Sequence, residues 1–394
     1  MKSNHSIFIA GAGGIGRTVA LFLATDEELQ CDIYIGDISD HAIQDAIEWI
    51  QKGLTIPKAI HPVLMAKDGS NEEMDEAFIQ VDIIMDCLPG SQAPRMARFA
   101  RTHELHYVNL TEYVKETDEI VEIGKDADTG FVVQTGLAPG FINVLGHRLF
   151  KQFCKMYDVD KVEKISKRVG ALTKYTKSPH FYGFTWSPIG VATEYIKDSI
   201  VVRDGKIVHL PSLSERETIL IDGVRYEADL TSGGVADLPN ALRDRTKDLD
   251  YKTIRYPGHY DWVKGIIGEI SSETEKIDKL EKIMLEQVPA VEEDVVIIYA
   301  SVKGKDRNGK LRAIETSFKI RPMKVGKQTL RAIQSTTAAP MAECARMLLL
   351  GNYKGIVYQS DLNTEEFMEG PIIQRVYFEK TLQKKENHLH PVEL

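Results

Sequence analysis

The segment IFIAGAGGIGRTVALFLA, residues 7–24, decides the architecture of the first half of the chain. An apolar run (Ser6–Ala10) meets the pattern Gly11-x-Gly13-x-x-Gly16, and an amphipathic helix-like stretch (Ile15–Ala24) follows without a break. In a strand–turn–helix unit each glycine has a task. Gly11 permits the tight turn, Gly13 lets the backbone approach a pyrophosphate, and Gly16 lets the helix pack closely on the strand. The helix start then offers unpaired N–H groups and the positive end of its dipole to phosphate oxygens. The next apolar run, CDIYIGD, ends on Asp37, about twenty residues past Gly16, where an acid can accept hydrogen bonds from ribose hydroxyls. Gly11, Ala12, Gly13, Gly14, Ile15 and Gly16, with Asp37 and Ile38, are therefore the candidate cofactor contacts. A carboxylate at Asp37 repels a 2′-phosphate, so NAD is expected in preference to NADP. Arg17 could serve a phosphate and keeps NADP open.

Outward from this unit the same rhythm continues. Further apolar runs occur at Cys31–Ile35, Val81–Cys87, Leu105–Asn109 and Phe131–Gln134. Helix-like segments lie between them at Ile38–Lys52, Glu72–Ile79, Gln92–Thr102 and Asp118–Lys125. Alternating βα units with unbroken apolar runs imply an α/β, doubly wound parallel sheet of the Rossmann type, buried on both faces. Ligands in such sheets lie beyond the carboxyl ends of the strands. The loops Cys87-Leu88-Pro89 and Asn109–Thr111 are therefore expected along the cofactor, with Cys87, Leu88, Pro89, Asn109 and Thr111 as candidates.

After about residue 155 the pattern changes. Asp204-Gly205, Asp222-Gly223 and Asn308-Gly309 each sit between β-type arms and read as two-residue hairpin turns. A second, α+β domain with a mixed or antiparallel sheet is expected, with helices near Pro188–Lys197, Asp261–Ile267 and Glu273–Gln287. LRAIQS reads as a strand. It leads to an apolar helix, Pro340–Leu350, with Pro340 at its first position and Gly351 at its cap. The expected division is residues 1–150 with 338–394 for the dinucleotide domain and 151–337 for the substrate and dimerisation domain. The polar tail after Lys380 is expected to fray.

The bulk properties narrow the function. The chain has 394 residues, 43% hydrophobic and 27% charged, with a net charge of -9. That length implies two domains, and the acidic balance argues against nucleic-acid or membrane-surface binding. Cys31, Cys87, Cys154 and Cys344 show neither metal-ligand nor disulfide spacing, so no metal is expected and a reducing cytoplasm is. The apolar run at the amino terminus is too short for a signal segment, and no stretch is long enough for a membrane helix. No P-loop, HExxH or Ser/His/Asp order appears.

Six segments carry a family likeness: QTGLAPGFINVLG (134–146), YGFTWSPIGVATEY (182–195), LPSLSE (210–215), TSGG (231–234), LDYKTIRYPGH (249–259) and RAIQSTTAAP (331–340). With the glycine fingerprint, they resemble the saccharopine dehydrogenase family, on the side of lysine 6-dehydrogenase and then saccharopine reductase. The resemblance runs to about residue 351. It implies an oxidoreductase of amino-acid metabolism that works on a carbon–nitrogen bond with a nicotinamide cofactor. It also implies a homodimer formed through the second domain. Two departures concern the substrate. Ile189 stands where saccharopine reductases carry a basic residue, and Gly170-Ala171-Leu172-Thr173 replaces the family's GG-x-P turn. Lys174 and Lys177 follow and could bind a carboxylate or form a solvated loop. A polyamine, an opine-like conjugate or a non-catalytic dinucleotide sensor remain alternatives.

Oxidation of an amine asks the protein for orientation and one acid/base group, because the cofactor carries the hydride chemistry. His259 is the first candidate, since an imidazole near pKa 6.5 suits proton transfer at neutral pH, or else a structural histidine hydrogen-bonded after the Pro-Gly turn. Tyr182 is the second, or else an aromatic wall. Asn143, His180, Trp186, Arg255 and Thr337 are candidate substrate contacts. Arg255 could hold a substrate carboxylate bidentately or equally pair with one of the chain's many acids. Thr231, Ser232 and Thr336 are further loop hydroxyls. Trp262 reads as core or wall, and Ser187-Pro188 as an ordinary helix start.

Overall fold

A computed structural model describes residues 5–112, 114–272, 274–378 and 392–393. The chain begins with strictly alternating elements: β1 (His5–Ala10), α1 (Gly14–Ala24), β2 (Cys31–Asp37), α2 (Asp40–Gly53), β3 (Ile60–Leu64), α3 (Glu72–Gln80), β4 (Ile83–Asp86), α4 (Ala93–Thr102), β5 (His106–Asn109), α5 (Val114–Gly124) and β6 (Gly130–Val132). Local chemistry starts two of these helices. The Ser39 side chain accepts the N–H of Ala42 at the head of α2, and Asn71 accepts that of Met74 at the head of α3.

The middle of the chain forms α6 (Phe141–Tyr157), β7 (Val162–Thr173), α7 (Pro188–Ile196), β8 (Ser199–Arg203), β9 (Lys206–Leu210), β10 (Glu217–Ile221), β11 (Val224–Leu230), α8 (Leu238–Leu242), β12 (Thr246–Arg255), α9 (His259–Glu269), α10 (Lys276–Gln287), β13 (Asp294–Lys305) and β14 (Leu311–Ile320). A short hairpin, β15 (Met323–Val325) with β16 (Gln328–Leu330), leads to α11 (Ala332–Leu350) and β17 (Gly355–Val357).

These elements form two units. The first runs to Phe141 and takes back Met323–Leu330 and the described chain from Gln334 to Phe378; the second holds Ile142–Pro322 and Arg331–Ile333, with Val392–Glu393. In the first, seven strands lie in the order β3-β2-β1-β4-β5-β6-β17, parallel at every pairing. This is the doubly wound arrangement, and the strand order reverses between β1 and β4. The fold class follows the sequence reading, but β3 is an addition to it. Pro62 interrupts its apolar pattern, which is tolerated because β3 is an edge strand that can spare one donor. Phe8, Ile84, Tyr107 and Phe131 point into one core layer with Met74, Met96 and Ala97. Gly130 on β6 admits α11: a Cβ there would lie 2.5 Å from the Leu348 side chain.

The second unit has a mixed sheet, β10-β11-β12-β7-β13-β14, with β8 and β9 attached to β12. Only β12 and β7 pair in parallel along that path among the described residues. Asp204-Gly205 and Asp222-Gly223 each take two consecutive positive φ angles, as a two-residue hairpin turn requires. Asn308-Gly309 does not form such a turn. β13 and β14 are joined by five residues, because Asp306 Oδ1 accepts the N–H groups of Asn308 and Lys310 and folds a wider loop. α7, α9 and α10 enclose an aromatic core around Tyr182, Phe184, Tyr195 and Tyr260. Asp250 lies fully buried on β12. Burial opposes its ionisation, yet Arg168 at 2.5 Å and Arg203 at 2.9 Å, with Lys164, hold it well below the usual carboxylate range.

Two expectations for the carboxyl-terminal part change. LRAIQS is not a strand beyond Leu330, and Pro340 lies inside α11 rather than at its start. The helix starts early because both carboxylate oxygens of Asp294, on β13, accept the N–H groups of Ala332 and Ile333 at 2.7 Å. Pro340 has no N–H for the carbonyl of Thr336, and the Tyr377 hydroxyl donates to that oxygen instead at 2.7 Å. The tail expected to fray lies outside the described residues except for β18 (Val392–Glu393), which pairs with β14.

Candidate functional site

In the first unit the site grows from the turn after β1. Gly11 has φ +103°, a conformation that excludes most side chains, and a Cβ there would lie 3.1 Å from the carbonyl of Cys87. Gly16 packs against that turn: a Cβ would fall 1.8 Å from the Gly11 oxygen. Gly13 and Gly14 are exposed, and a Cβ on Gly13 would meet nothing within 4 Å. No side chain caps α1 at Gly13, and its first turn carries no acid. Ile15 is half-buried. Open space above a helix start without a side-chain cap is what a dinucleotide pyrophosphate needs, so these residues fit that group.

Asp37 has a second role that sequence reading missed. Its Oδ2 accepts the Ala12 N–H at 2.9 Å, so the acid pins the glycine loop. Its Oδ1 accepts the Ser39 N–H at 3.2 Å, and a carboxylate with about four acceptor positions keeps capacity for ribose hydroxyls. Ile38 beside it is 61% exposed, an apolar surface of the kind a purine ring covers. Arg17 lies over the Trp49 ring at 4.7 Å.

The loop after β4 is held from below. Asp86 accepts the Tyr107 hydroxyl at 2.8 Å and the Leu88 N–H at 3.0 Å, and burial pushes its carboxyl up to about 6. Cys87 and Leu88 are thereby set beside Gly11, while Pro89 is exposed. Asn109 and Thr111 are buried at the end of β5. Asn109 Oδ1 accepts the Gln134 N–H at 2.9 Å, tying that strand end to the next segment. Thr337 sits on α11 beside Gly136 in the same unit.

The second unit gathers residues from three elements. Arg255 ends β12, His259 opens α9, and Tyr195 comes from α7. Gly258, with φ +96°, turns the chain between Arg255 and His259, and Phe181 packs where its side chain would be. The hydrogen bonds run in one direction. Arg255 Nε donates to the Tyr195 oxygen at 2.7 Å, and that hydroxyl lies 2.9 Å from His259 Nε2. His259 Nδ1 lies 2.6 Å from the carbonyl of His180. A carbonyl can only accept, so Nδ1 carries the proton and Nε2 accepts from Tyr195. The Arg255 guanidinium lies over the Tyr182 ring at 4.7 Å.

His259 thus keeps its place in a polar cluster but not the property expected of it. It is completely buried, and burial together with the Arg255 charge pushes its imidazole down to about 3. It is a neutral acceptor, not a group that titrates near pH 7. His180 supplies the carbonyl, and its Nδ1 accepts the Tyr182 N–H at 3.2 Å. Trp186 packs on Gly190, and Trp262 stands 5.7 Å from the His259 ring, both as walls. Asn143 is buried and donates to the Val235 carbonyl at 2.6 Å. Gly170-Ala171-Leu172-Thr173 is no turn: it lies within β7, where a Cβ on Gly170 would meet the Ile254 oxygen at 2.7 Å. Lys174 pairs with Glu293 at 2.9 Å on the surface.

Lys167 was missed by the sequence reading. It is fully buried on β7, its Nζ donates to the same Val235 carbonyl at 3.2 Å, and burial pushes it down to about 7. The only signal was a lysine in a strand now paired on both sides. Among the described residues no cluster of three or more His, Cys, Asp or Glu could hold a metal ion, and no helix is long and apolar enough to cross a membrane.

Residues 7–132 match the family described as the saccharopine dehydrogenase NADP binding domain, and residues 136–379 the saccharopine dehydrogenase C-terminal domain. The chain belongs to the saccharopine dehydrogenase family. Like the family, it couples a Rossmann domain for a nicotinamide dinucleotide to a second domain with a mixed sheet. It is 22% identical over 221 residues to the mitochondrial alpha-aminoadipic semialdehyde synthase of Bos taurus and 20% over 222 residues to that of Mus musculus. Each match covers 53% of this chain and 22% of the relative's length. The fold is similar to that of apo saccharopine dehydrogenase (L-Glu forming) from Saccharomyces cerevisiae: TM-score 0.74, 13% identity, covering 95% of this chain and 98% of that one. It is also similar to homospermidine synthase from Legionella pneumophila in complex with NAD: TM-score 0.65, 12% identity, covering 100% and 95%.

Proposed function

We propose that this saccharopine dehydrogenase family member is an NAD-preferring dehydrogenase that oxidises a carbon–nitrogen bond in a lysine-like or saccharopine-like amino acid. Asp37 carries the cofactor preference, because its carboxylate is fixed beside the glycine loop, where it would face the ribose hydroxyls and repel a 2′-phosphate. The Gly11–Gly16 turn, Ile38, Cys87, Leu88, Pro89, Asn109 and Thr111 are the remaining cofactor contacts in this reading. A bound nicotinamide would supply the hydride acceptor. The second unit would hold the substrate, with Tyr182, His180, Trp186, Arg255 and Asn143 as its contacts. Tyr195 would be oriented by the neutral His259 acceptor on one side and Arg255 on the other. Hydride leaves only a neutral amine, and proton transfer at neutral pH needs a group that titrates there. Lys167 meets that condition better than His259. The reading includes a cytoplasmic homodimer joined through the second unit.

Absorbance at 340 nm on adding lysine, saccharopine or related diamino acids with NAD tests the activity. No cofactor reduction with any of them, and no oxidation of NADH in reverse with an aldehyde or oxo acid plus amine, would sink it. Asp37→Ser should improve NADP use relative to NAD by about tenfold or more, the equivalent of one carboxylate–phosphate repulsion. A wild-type protein that already prefers NADP overturns that part. The fold similarity to homospermidine synthase favours a second reading, the same chemistry on a polyamine.

A further inference from the structure

α11 sets three side chains along the carboxyl rim of the parallel sheet, all within the first unit. Gln334 stands beside the turn after β1: its Nε2 lies 3.4 Å from the position a Cβ on Gly14 would take. Thr337 Cγ2 lies 3.8 Å from the equivalent position on Gly136, in the segment after β6. Met341 Sδ lies 3.6 Å from Cys87 Sγ, one residue past β4. Residues at i, i+3 and i+7 share one face of a helix, and ligands of a doubly wound sheet lie beyond the strand ends that this face follows. Gln334 alone of the three brings an N–H donor. It is 7% exposed, whereas Gly13 and Gly14 are open. A helix start offers a pyrophosphate its backbone N–H groups from one side, and the oxygens turned away from the helix take donors from elsewhere. Arg17 of α1 lies over the Trp49 ring. Gln334 Nε2 is the atom from outside the loop and helix that comes nearest to the Cβ position of Gly14.

We propose that the Gln334 side-chain amide donates to the pyrophosphate of the bound dinucleotide, from the side opposite the glycine loop. The inference deepens the cofactor reading of the first unit and rests on it, but not on which substrate is oxidised. It makes a charge-dependent statement that a packing role does not. A carboxylate at position 334 would itself stand at the positive end of α1 in place of a phosphate. It would steady the ligand-free protein and repel the cofactor.

The experiment is calorimetry of the full chain with NADH and with ADP-ribose, which keeps the pyrophosphate and lacks the nicotinamide, beside melting curves without ligand. Gln334→Ala removes the donor, so Kd should rise about tenfold for both ligands alike. Gln334→Glu should weaken both further, yet its ligand-free Tm should lie above that of Gln334→Ala. If Gln334→Ala does not fold, Gln334→Glu against the wild type decides. An unchanged Kd in Gln334→Ala, a loss confined to NADH, or Gln334→Glu binding as tightly as the wild type would each overturn the contact. A wild type that reduces NAD with an amine but binds both ligands regardless of Gln334 overturns the contact alone and leaves the dehydrogenase reading standing. Gln334-dependent binding of both ligands in a protein that turns over no amine supports the contact and removes the dehydrogenase reading. A wild type that binds neither ligand overturns both.

Discussion

The two units assemble their polar centres in opposite ways. The glycine loop of the first is built from neighbours: Gly11, Gly13 and Gly16 lie within one strand–turn–helix, and Asp37 reaches them from the adjacent strand. Its centre is open, with exposed backbone at Gly13 and Gly14. The cluster of the second draws Tyr182, Tyr195, Arg255 and His259 from segments up to 77 residues apart (182 to 259), and buries all four. Steric clearance governs the first, desolvation the second. The same difference appears in titration. Glu343, on α11 of the first unit, is pushed up to about 7 by burial, although Arg346 opposes this. His259 is pushed down to about 3. Burial favours the neutral form of both, and the sign of the pH effect follows from which form is neutral.

The largest effect expected from this contrast lies in the glycine turn. Gly16→Val places side-chain atoms into the Gly11 carbonyl, so it should abolish measurable NADH binding and cost about 2–3 kcal/mol of stability. Fluorescence titration of NADH and a melting curve check both. Near-wild-type affinity would mean that the turn is not the dinucleotide site.

The pH dependence of stability should separate the units next. Between about pH 4.5 and 7 the folded protein keeps the Glu343 proton while the unfolded chain has released it. The contribution of Glu343 therefore falls as pH rises through that window. Between about pH 3 and 6.5 the unfolded chain binds a proton that folded His259 refuses, so its contribution rises with pH. Relative to the wild type, the slope of melting temperature against pH should become more positive across pH 4.5–7 in Glu343→Gln and more negative across pH 4–6.5 in His259→Asn. Parallel curves for both variants and the wild type would remove desolvation as the shared cause.

A smaller effect tests a repair within the first unit. Tyr377→Phe withdraws the hydroxyl that serves the Thr336 carbonyl below Pro340, while keeping the ring stacked on Phe141 at 3.6 Å. The expected loss is about 1 kcal/mol, a shift of a few degrees in Tm. No shift would mean that the carbonyl is served in another way.

Legibility followed the range of the interaction that decides each feature. Strand, turn and helix from Ile7 to Ala24 could be read because their constraints act within a few residues. The Asp204-Gly205 and Asp222-Gly223 hairpins were readable for the same reason: two positive φ angles are a local demand. The Asn308-Gly309 turn failed because Asp306, two residues earlier, captured the backbone first. β3 was hidden by Pro62, which only its edge position makes tolerable. The start of α11 was out of reach because its cap, Asp294, lies 38 residues before Ala332.

The sequence by itself determined the doubly wound sheet, the dinucleotide loop with its acid, and the second domain's hairpins, since periodicity and turn chemistry are local. It also named His259, Tyr182 and Arg255. Only the tertiary structure decided what those three are. Burial makes His259 a neutral acceptor and holds Tyr195 between it and Arg255. It also leaves Arg255 Nη2 and the Tyr182 hydroxyl without a hydrogen bond among the described residues. Desolvation and orphaned hydrogen bonds arise from what surrounds a group on all sides, and no stretch of sequence around a residue carries that information.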